Sequence, residues 1–299
     1  MTPADPAQAL RDFQPRKNFF VGIDSDGCVF DTMEIKHKEC FVPMFIRHFH
    51  LQAASKHARQ TWEFVNLYSQ SRGCNRFPAL ALSLDLLRRR PEVLARQVAF
   101  FDPQALEQWI ARESKLSEGA LAAEIKAGRK ELAPLLEWSQ AVNAAIADIV
   151  HGVPPFPLVR EVLEKIAPQA DVMVISQTPG QALRREWAEH GLDQHVRLIA
   201  GQEMGSKSEH LKLAAAGKYP PHHILMIGDA PGDHKAARSN HALFFPIVPH
   251  REEESWKELF EEGLDRFFTG KFAGQYEKQK FAKFDASLPA SPPWKQVAA

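Results

Sequence analysis

A short apolar stretch that runs straight into two aspartates constrains this chain more than any other feature. Residues 19–23, Phe-Phe-Val-Gly-Ile, predict a buried β-strand, and Asp24, Asp26 and Gly27 follow it closely. Two carboxylates so near each other repel and lose hydration unless a cation or a reaction uses them. The pair indicates a magnesium-assisted phosphoryl transfer site, where one carboxylate attacks phosphorus and its neighbour carries a proton. The alternative is an Asx-turn that ends the strand.

The composition argues against several classes of protein. The chain of 299 residues suffices for one large or two modest domains, and Lys plus Arg equals Asp plus Glu at 37 each. This balance argues against nucleic acid or an anionic membrane surface as the main partner. The 3 cysteines are far apart and form no C-x-x-C pair, which argues against a disulfide framework or a zinc site and fits a reducing compartment.

Neither a membrane span nor a signal peptide is predicted. No apolar run approaches the roughly 20 residues that a bilayer requires. Residues 1–16 contain several prolines and lack the apolar core of a signal peptide. We therefore expect a cytoplasmic protein without a membrane partner.

Residues 34–150 predict helices only. Glycine becomes sparse, and apolar residues recur at spacings of three and four, as in Leu80, Leu84 and Leu87. The stretch 151–157, His-Gly-Val-Pro-Pro-Phe-Pro, ends this block because proline at such density stops helices. An all-helical domain over residues 34–150 is the prediction.

Beyond this break, strands and helices alternate. The predicted strands are 172–175, 196–200, 224–227 and 243–248, and the predicted helices are 158–166, 181–190, 207–216 and 234–239. Such alternation predicts an α/β fold with a parallel sheet, which binds ligands at the carboxyl ends of its strands. The catalytic core would be discontinuous, formed by residues 1–33 and 151–250.

Residues 251–299 are expected to form a helical and irregular C-terminal extension. Ser255 and Glu258 predict a capping box at the start of an amphipathic helix. The apolar stripe of this helix is expected to pack on the sheet domain; its members are Trp256, Leu259, Phe260, Leu264 and Phe267.

Polar residues at or just after the ends of predicted strands suggest a single site. Its members are Asp24, Asp26, Ser176, Lys207, Asp229 and Asp233. Catalysis of phosphoryl transfer is mostly positioning and electrostatic stabilisation. Mg²⁺ takes oxygen ligands, so several acidic groups near one point suit it. A serine hydroxyl can donate to a phosphoryl oxygen, and a lysine at a helix start adds positive charge.

Each element alone also has a simpler interpretation. Ser176 with residues 177–179 could cap a helix, Lys207 could be a solvated surface residue, and residues 228–233 could be a loop with a capping aspartate. The order of these elements after successive strands favours the common site.

The motifs resemble those of the haloacid dehalogenase-like hydrolase superfamily. Its first motif is an apolar strand followed by Asp-x-Asp-Gly, here residues 23–27, and its second is a strand that ends in Ser or Thr, here 175–176. Its third is a lysine, here Lys207, and its fourth is Gly-Asp-x-x-x-Asp, here residues 228–233. The resemblance implies a Rossmann-like three-layer sandwich with a large all-helical cap domain inserted after the first strand.

The resemblance also implies roles for the acidic residues. Asp24 would be the nucleophile that forms an aspartyl-phosphate, and Asp26 would be the general acid and then the general base. Mg²⁺ would be bound by Asp24, the backbone carbonyl of Asp26 and Asp229, and Asp233 would either bind it directly or orient its coordination shell. Members of the superfamily that displace halide or cleave carbon–phosphorus bonds generally lack the second acid, so Asp26 favours a phosphatase or phosphomutase.

The resemblance further implies that Ser176 and Lys207 bind the phosphoryl group of a small phosphorylated metabolite. Caps in this superfamily supply substrate contacts, and we predict such contacts from Arg72 and Arg76 in the polar loop 68–77. A solvated loop between helices is the alternative. The predicted function is a Mg²⁺-dependent phosphatase; a phosphomutase and a non-catalytic binding protein with the same fold are the alternatives.

Overall fold

The computed structural model describes residues 5–297, which form two compact units. The sheet unit comprises the residues up to Thr32 and Gly152–Ser287, and the helical unit comprises Met33–His151 and the residues from Leu288 onward. The domain boundaries expected from the sequence, near residues 33, 150 and 250, stay predictions. Residues 1–4 of the predicted core and residues 298–299 of the predicted C-terminal extension lie outside the described residues.

Helices account for most of the described chain. In chain order the α-helices are α1 Gln8–Arg11, α2 Thr32–Ile35, α3 Val42–His48, α4 Ser55–Leu67, α5 Arg76–Arg88, α6 Pro91–Leu94, α7 Gln104–Arg112, α8 Glu118–Lys126, α9 Ala133–Ile149, α10 Val159–Ile166, α11 Gly180–Glu189, α12 Lys207–Ala214, α13 Pro231–Ser239, α14 Glu252–Glu258, α15 Leu264–Phe268 and α16 Gln275–Ser287. Segments Lys36–Phe41 and Leu259–Gly263 are π-helical, and short 3₁₀ turns occur at Gln52–Ala54, Lys130–Leu132, Asp193–His195, Gln202–Met204 and Pro221–His223.

The sheet unit contains a five-stranded parallel sheet. Its strands are β1 Phe19–Ile23, β2 Ala170–Ile175, β3 Leu198–Ala200, β4 Ile224–Gly228 and β5 Leu243–Pro246, in the spatial order β3-β2-β1-β4-β5. The chain builds outward from β1 to β3 and then returns to β4, so the strand order reverses between β1 and β4. Open α/β sheets bind ligands outside the carboxyl ends of their strands at such a reversal. The predicted α/β fold with a parallel sheet is confirmed.

Alternate residues of β1 face opposite sides of the sheet. Val21 and Ile23 belong to an apolar core that also includes Trp256 of α14. A Cβ added to Gly22 would lie 3.4 Å from Leu211 of α12, so this residue faces the other side. Helices therefore cover both faces, which gives the predicted three-layer sandwich.

The C-terminal helices belong to the sheet unit. Their apolar residues Trp256 and Phe267 are buried in its core, as the predicted stripe requires. The predicted capping box is wrong, because α14 begins at Glu252 and Ser255 lies inside it. The Ser255 hydroxyl instead donates to the carbonyl of Arg251 at 2.8 Å.

Helix α16 covers the edge of the sheet. The backbone N–H of Phe244 in β5 donates to Oε1 of Glu277 at 3.0 Å. An edge strand exposes unpaired backbone groups that can pair with another chain. The Glu277 carboxylate satisfies one of these groups at β5.

The helical unit has its own aromatic core. Trp62, Trp109 and Trp138 are fully buried, and the rings of Trp62 and Trp138 meet edge to face with centroids 5.8 Å apart. Every regular element described between residues 33 and 151 is helical, as the sequence predicted. In the described part of the chain, no helix is both long enough and apolar enough to cross a membrane.

Candidate active site

Three buried aspartates meet beyond the carboxyl ends of β1 and β4. Asp24 follows β1 and Asp229 follows β4, while Asp233 lies in the first turn of α13. The N–H of Asp24 donates to the carbonyl of Ile227 at 3.0 Å, which holds the two strand ends side by side. One carboxylate oxygen from each aspartate lies within 4.8 Å of the others. The sheet therefore brings together acidic residues that are distant in sequence.

The ammonium of Lys207, at the start of α12, binds two of these carboxylates. Its Nζ donates to Oδ2 of Asp24 at 2.5 Å and to Oδ1 of Asp233 at 2.7 Å. Burial by itself would lower the pKa of Lys207, but the charges of Asp233 and Asp24 outweigh burial and raise this pKa above its ordinary value. Lys207 therefore stays charged, and the solvated surface lysine of the alternative interpretation is wrong.

Two backbone features fix the Asp233 carboxyl group. Its Oδ2 accepts the N–H of Ala230 at 3.1 Å, in the manner of a helix cap. A Cβ at position 228 would lie only 2.5 Å from the Asp233 Cβ, so only glycine fits at this position without a shift of Asp233. Burial, together with the charges of Asp24 and Asp229, raises the pKa of Asp233, although Lys207 opposes this shift. Asp233 thus caps its helix with one oxygen and faces Lys207 with the other.

Asp26 lies in the loop that leaves β1, and it is only half-buried. Gly27 adopts a φ of +74°, a left-handed conformation that glycine accommodates without strain. The Asp26 carboxylate accepts a hydrogen bond at each oxygen, both at 2.6 Å. The hydroxyl of Thr32 donates to Oδ1 and the hydroxyl of Thr178 donates to Oδ2.

Ser176 follows β2 and is buried at the same edge of the sheet. Its N–H donates to the carbonyl of Ala200 at 3.0 Å, and its Oγ accepts the N–H of Thr178 at 3.3 Å. The helix-cap interpretation of this stretch is wrong, because the first N–H of α11, at Gly180, donates to both oxygens of Glu203 at 3.1 Å. Glu203 therefore caps this helix. The Ser176 hydroxyl accepts the N–H of Thr178, and the Thr178 hydroxyl donates to Asp26.

Sequence reasoning missed three residues that support this site: Thr32, Thr178 and Glu203. Thr178 offered a weak signal, since it stands two residues after Ser176 in the loop that follows β2. The other two offered none. Thr32 meets Asp26 only because the loop folds back at Gly27, and Glu203 meets Gly180 only because β2 and β3 are neighbours.

The two arginines predicted to bind substrate lie in the helical unit. Arg72 is buried, and its Nη1 donates to the carbonyl of Leu67 at 2.9 Å. Arg76 donates from Nη1 to Oγ of Ser139 at 2.8 Å and to Oδ1 of Asn143 at 2.9 Å. Both guanidinium groups therefore bind atoms of their own unit, and their contact with a substrate stays a prediction.

The sequence matches no protein-family model. No curated protein matches it either.

Solved structures of remote similarity do match. A haloacid dehalogenase-like family hydrolase from Streptococcus pneumoniae is 11% identical, with a TM-score of 0.43 over 80% of this chain and 90% of that chain. A predicted phosphoglycolate phosphatase from Haemophilus somnus is 13% identical, with a TM-score of 0.43 over 80% of this chain and 93% of that one. A haloacid dehalogenase-like family hydrolase from Xanthomonas campestris is 14% identical, with a TM-score of 0.41 over 79% and 85% of the two chains. Similarity this remote transfers neither a substrate nor a residue's role.

Proposed function

We propose that this chain, which combines an α/β sheet unit with an all-helical unit as the resemblance to the haloacid dehalogenase-like hydrolases implies, is a Mg²⁺-dependent phosphatase of small phosphorylated metabolites. One observation carries the proposal: Lys207 binds Asp24 inside a group of three buried carboxylates. Buried carboxylates this close cost free energy unless a cation or a reaction uses them. A reaction on a phosphate dianion uses both the carboxylates and the ammonium.

The chemistry of the three carboxylates fits Mg²⁺. Asp24, Asp229 and Asp233 can each direct an oxygen to one point, and Mg²⁺ prefers oxygen ligands, several of them water. The single ammonium of Lys207 does not neutralise three carboxylates, so a divalent cation bound there would balance the remaining charge. The backbone carbonyl of Asp26 is proposed as a further ligand. When bound, Mg²⁺ would offset the negative charge of the phosphoryl oxygens.

Asp24 is the proposed nucleophile. Its carboxylate oxygen attacks phosphorus, the bond from phosphorus to the ester oxygen breaks, and an aspartyl-phosphate and an alcohol result. Lys207 supports this step because its ammonium offsets the repulsion between a carboxylate and a phosphate dianion. Ser176 supports it too, since a hydroxyl that accepts one hydrogen bond still has a proton to donate to a phosphoryl oxygen.

Asp26 is the proposed acid and base. In the first step it gives its proton to the leaving ester oxygen. In the second step it takes a proton from the water that attacks phosphorus, and the bond between Asp24 and phosphorus breaks to release phosphate. The separation of tasks is supported by the contacts, because the Asp26 carboxylate binds Thr32 and Thr178, whereas that of Asp24 binds Lys207.

Phosphate release from a panel of phosphorylated metabolites and 4-nitrophenyl phosphate tests the proposal. Wild type with Mg²⁺ should release phosphate, and Asp24→Asn should not, because the amide keeps the shape of the side chain but is a poor nucleophile. Asp285→Asn, an exposed change in α16, is the matched control and should keep full activity. The proposal would be contradicted if wild type released no phosphate from any compound of the panel, or if the Asp24→Asn variant released as much phosphate as wild type.

The same assay separates a phosphatase from a phosphomutase. The alternative enzyme would pass the phosphoryl group from Asp24 to a second hydroxyl, so substrate would isomerise without release of phosphate.

The proposed cytoplasmic location is supported by the cysteines, which are all free thiols. Burial and the nearby carboxylates, Asp229 first, raise the pKa of Cys28 well above its ordinary value, so this thiol stays protonated.

A further inference from the structure

We propose that Thr178 and Thr32 are positioning residues that hold the Asp26 carboxylate in the orientation for proton transfer to the leaving group. The inference rests on the proposed phosphatase function and adds two residues to its site. It is carried by the pair of hydroxyl contacts at Asp26.

The two threonines reach Asp26 from different parts of the sheet unit. Thr32 lies six residues further along the same loop, at the first position of α2, and Thr178 lies 152 residues away in the loop after β2. Each hydroxyl donates to a different carboxylate oxygen, and both distances are 2.6 Å. Each hydroxyl occupies one lone pair of its carboxyl oxygen, so the group can still hold a proton on a remaining lone pair and donate it. Two such hydrogen bonds on opposite oxygens restrict rotation of the carboxylate plane.

Within residues 5–297, the Thr178 hydroxyl donates to no acceptor other than the Asp26 carboxylate. The adjoining helix α11 receives its cap from Glu203, and the carbonyl of Thr178 is held by the N–H of Gln202 at 3.1 Å. Valine has the shape of threonine and keeps these backbone contacts, whereas it removes the donor to Asp26. Thr178→Val therefore isolates the contact to Asp26 from the loop structure.

Orientation of Asp26 matters most where the leaving group needs a proton. A general acid contributes about 10²- to 10⁴-fold to such steps. An alkoxide leaves poorly without a proton, while 4-nitrophenolate leaves readily as an anion. A loss of orientation should therefore slow alkyl phosphates much more than 4-nitrophenyl phosphate. A general loosening of the site would slow both alike.

The experiment compares kcat/KM of wild type, Thr178→Val and Thr178→Ser on the best alkyl phosphate of the panel and on 4-nitrophenyl phosphate. This parameter reports the step that expels the alcohol, so the later attack of water does not obscure it. We expect Thr178→Val to lose about 10- to 100-fold on the alkyl phosphate and less than about 3-fold on the aryl phosphate. Thr178→Ser keeps the hydroxyl and should retain most activity on both.

Thr32→Val should show the same pattern, because it removes the donor to the other oxygen of Asp26. Thr269→Val, at an exposed hydroxyl that binds the Asp265 carbonyl, should behave as wild type. Equal losses on the two substrates, or no loss in either valine variant, would overturn the positioning role and leave the phosphatase standing. A wild type that releases phosphate from neither substrate would overturn both proposals.

Discussion

The ammonium of Lys207 lies 2.5 Å from Oδ2 of Asp24, a residue 183 positions earlier in the chain. The same ammonium lies 2.7 Å from Oδ1 of Asp233, so one cation joins the ends of three secondary-structure elements. Its loss would leave buried carboxylates without their counter-charge, which is costly.

Lys207→Met should therefore destabilise the fold without weakening the binding of Mg²⁺. Without Mg²⁺, the variant should be less stable than wild type by about 3–5 kcal/mol, the usual loss when one partner of a buried ion pair is removed. Its affinity for Mg²⁺ should not fall, because a competing positive charge has been removed, while its activity should be abolished. Calorimetric titration with Mg²⁺ and urea unfolding with and without the metal test this. Weaker Mg²⁺ binding would contradict the placement of the metal beside Lys207.

Two glycines of the fourth motif should respond very differently to alanine. A Cβ at Gly228 would crowd the Asp233 side chain, so Gly228→Ala should displace this carboxylate and lower activity at least 10-fold. Gly232 lies in α13 with open space around its added Cβ. Gly232→Ala should keep activity and stabilise the helix by about 0.5–1 kcal/mol. Assays and thermal unfolding of the two variants test this; equal activities would show that Gly228 does not restrict Asp233.

The sequence was sufficient to predict the sheet because its strands are short apolar runs that end in polar residues. For Asp24, Asp229 and Lys207, position after a predicted strand was enough, since carboxyl ends of parallel strands meet at one edge. Tertiary contacts decided the rest. Ser255 matched a capping box, yet α14 begins earlier and buries it.

Contacts between distant side chains could not be predicted from the sequence. Ser176 matched a helix cap as well as a site residue, and the choice depends on Glu203, which only the pairing of β2 with β3 brings near the start of α11. The arginines of loop 68–77 fitted a substrate site by composition. Their donors are directed to neighbouring groups of the helical unit by helix packing, for which a single sequence carries no signal.

At the end of the sheet remote from the aspartate group, Asp171 should make folding depend on pH. Its carboxylate accepts the Tyr219 hydroxyl at 2.7 Å, the Arg16 N–H at 2.7 Å and the Arg197 guanidinium at 2.7 Å. Burial alone would raise the pKa of Asp171, but these hydrogen bonds outweigh it and hold the pKa below its ordinary value. A depressed carboxyl pKa stabilises the fold above the pKa of the unfolded chain, about 3.9, and this stabilisation is lost as the pH falls.

Asp171→Asn should therefore destabilise the protein at pH 7 by about 2–4 kcal/mol, since hydrogen bonds to a charged acceptor are strong and their donors stay buried. The difference from wild type should shrink as the pH is lowered from 5 towards 3. Urea unfolding at several pH values measures this difference in the free energy of unfolding, and Asp285→Asn is the control at an exposed residue. A difference that stays constant with pH would show that the Asp171 charge contributes nothing to stability.

The segment from Leu288 onward should stabilise the helical unit through Trp294. The Trp294 ring lies 4.3 Å from the guanidinium carbon of buried Arg90 and meets Phe64 edge to face at 5.4 Å. A desolvated cation–π pair contributes about 2 kcal/mol, so Trp294→Ala should lower hydrogen-exchange protection in α4 and α5 while the sheet unit keeps its own. Lys295→Ala, a change at an exposed neighbouring residue, should leave hydrogen-exchange protection in both units as it is in wild type. Loss of protection spread evenly over both units would mean that Trp294 supports the whole chain and not the helical unit alone.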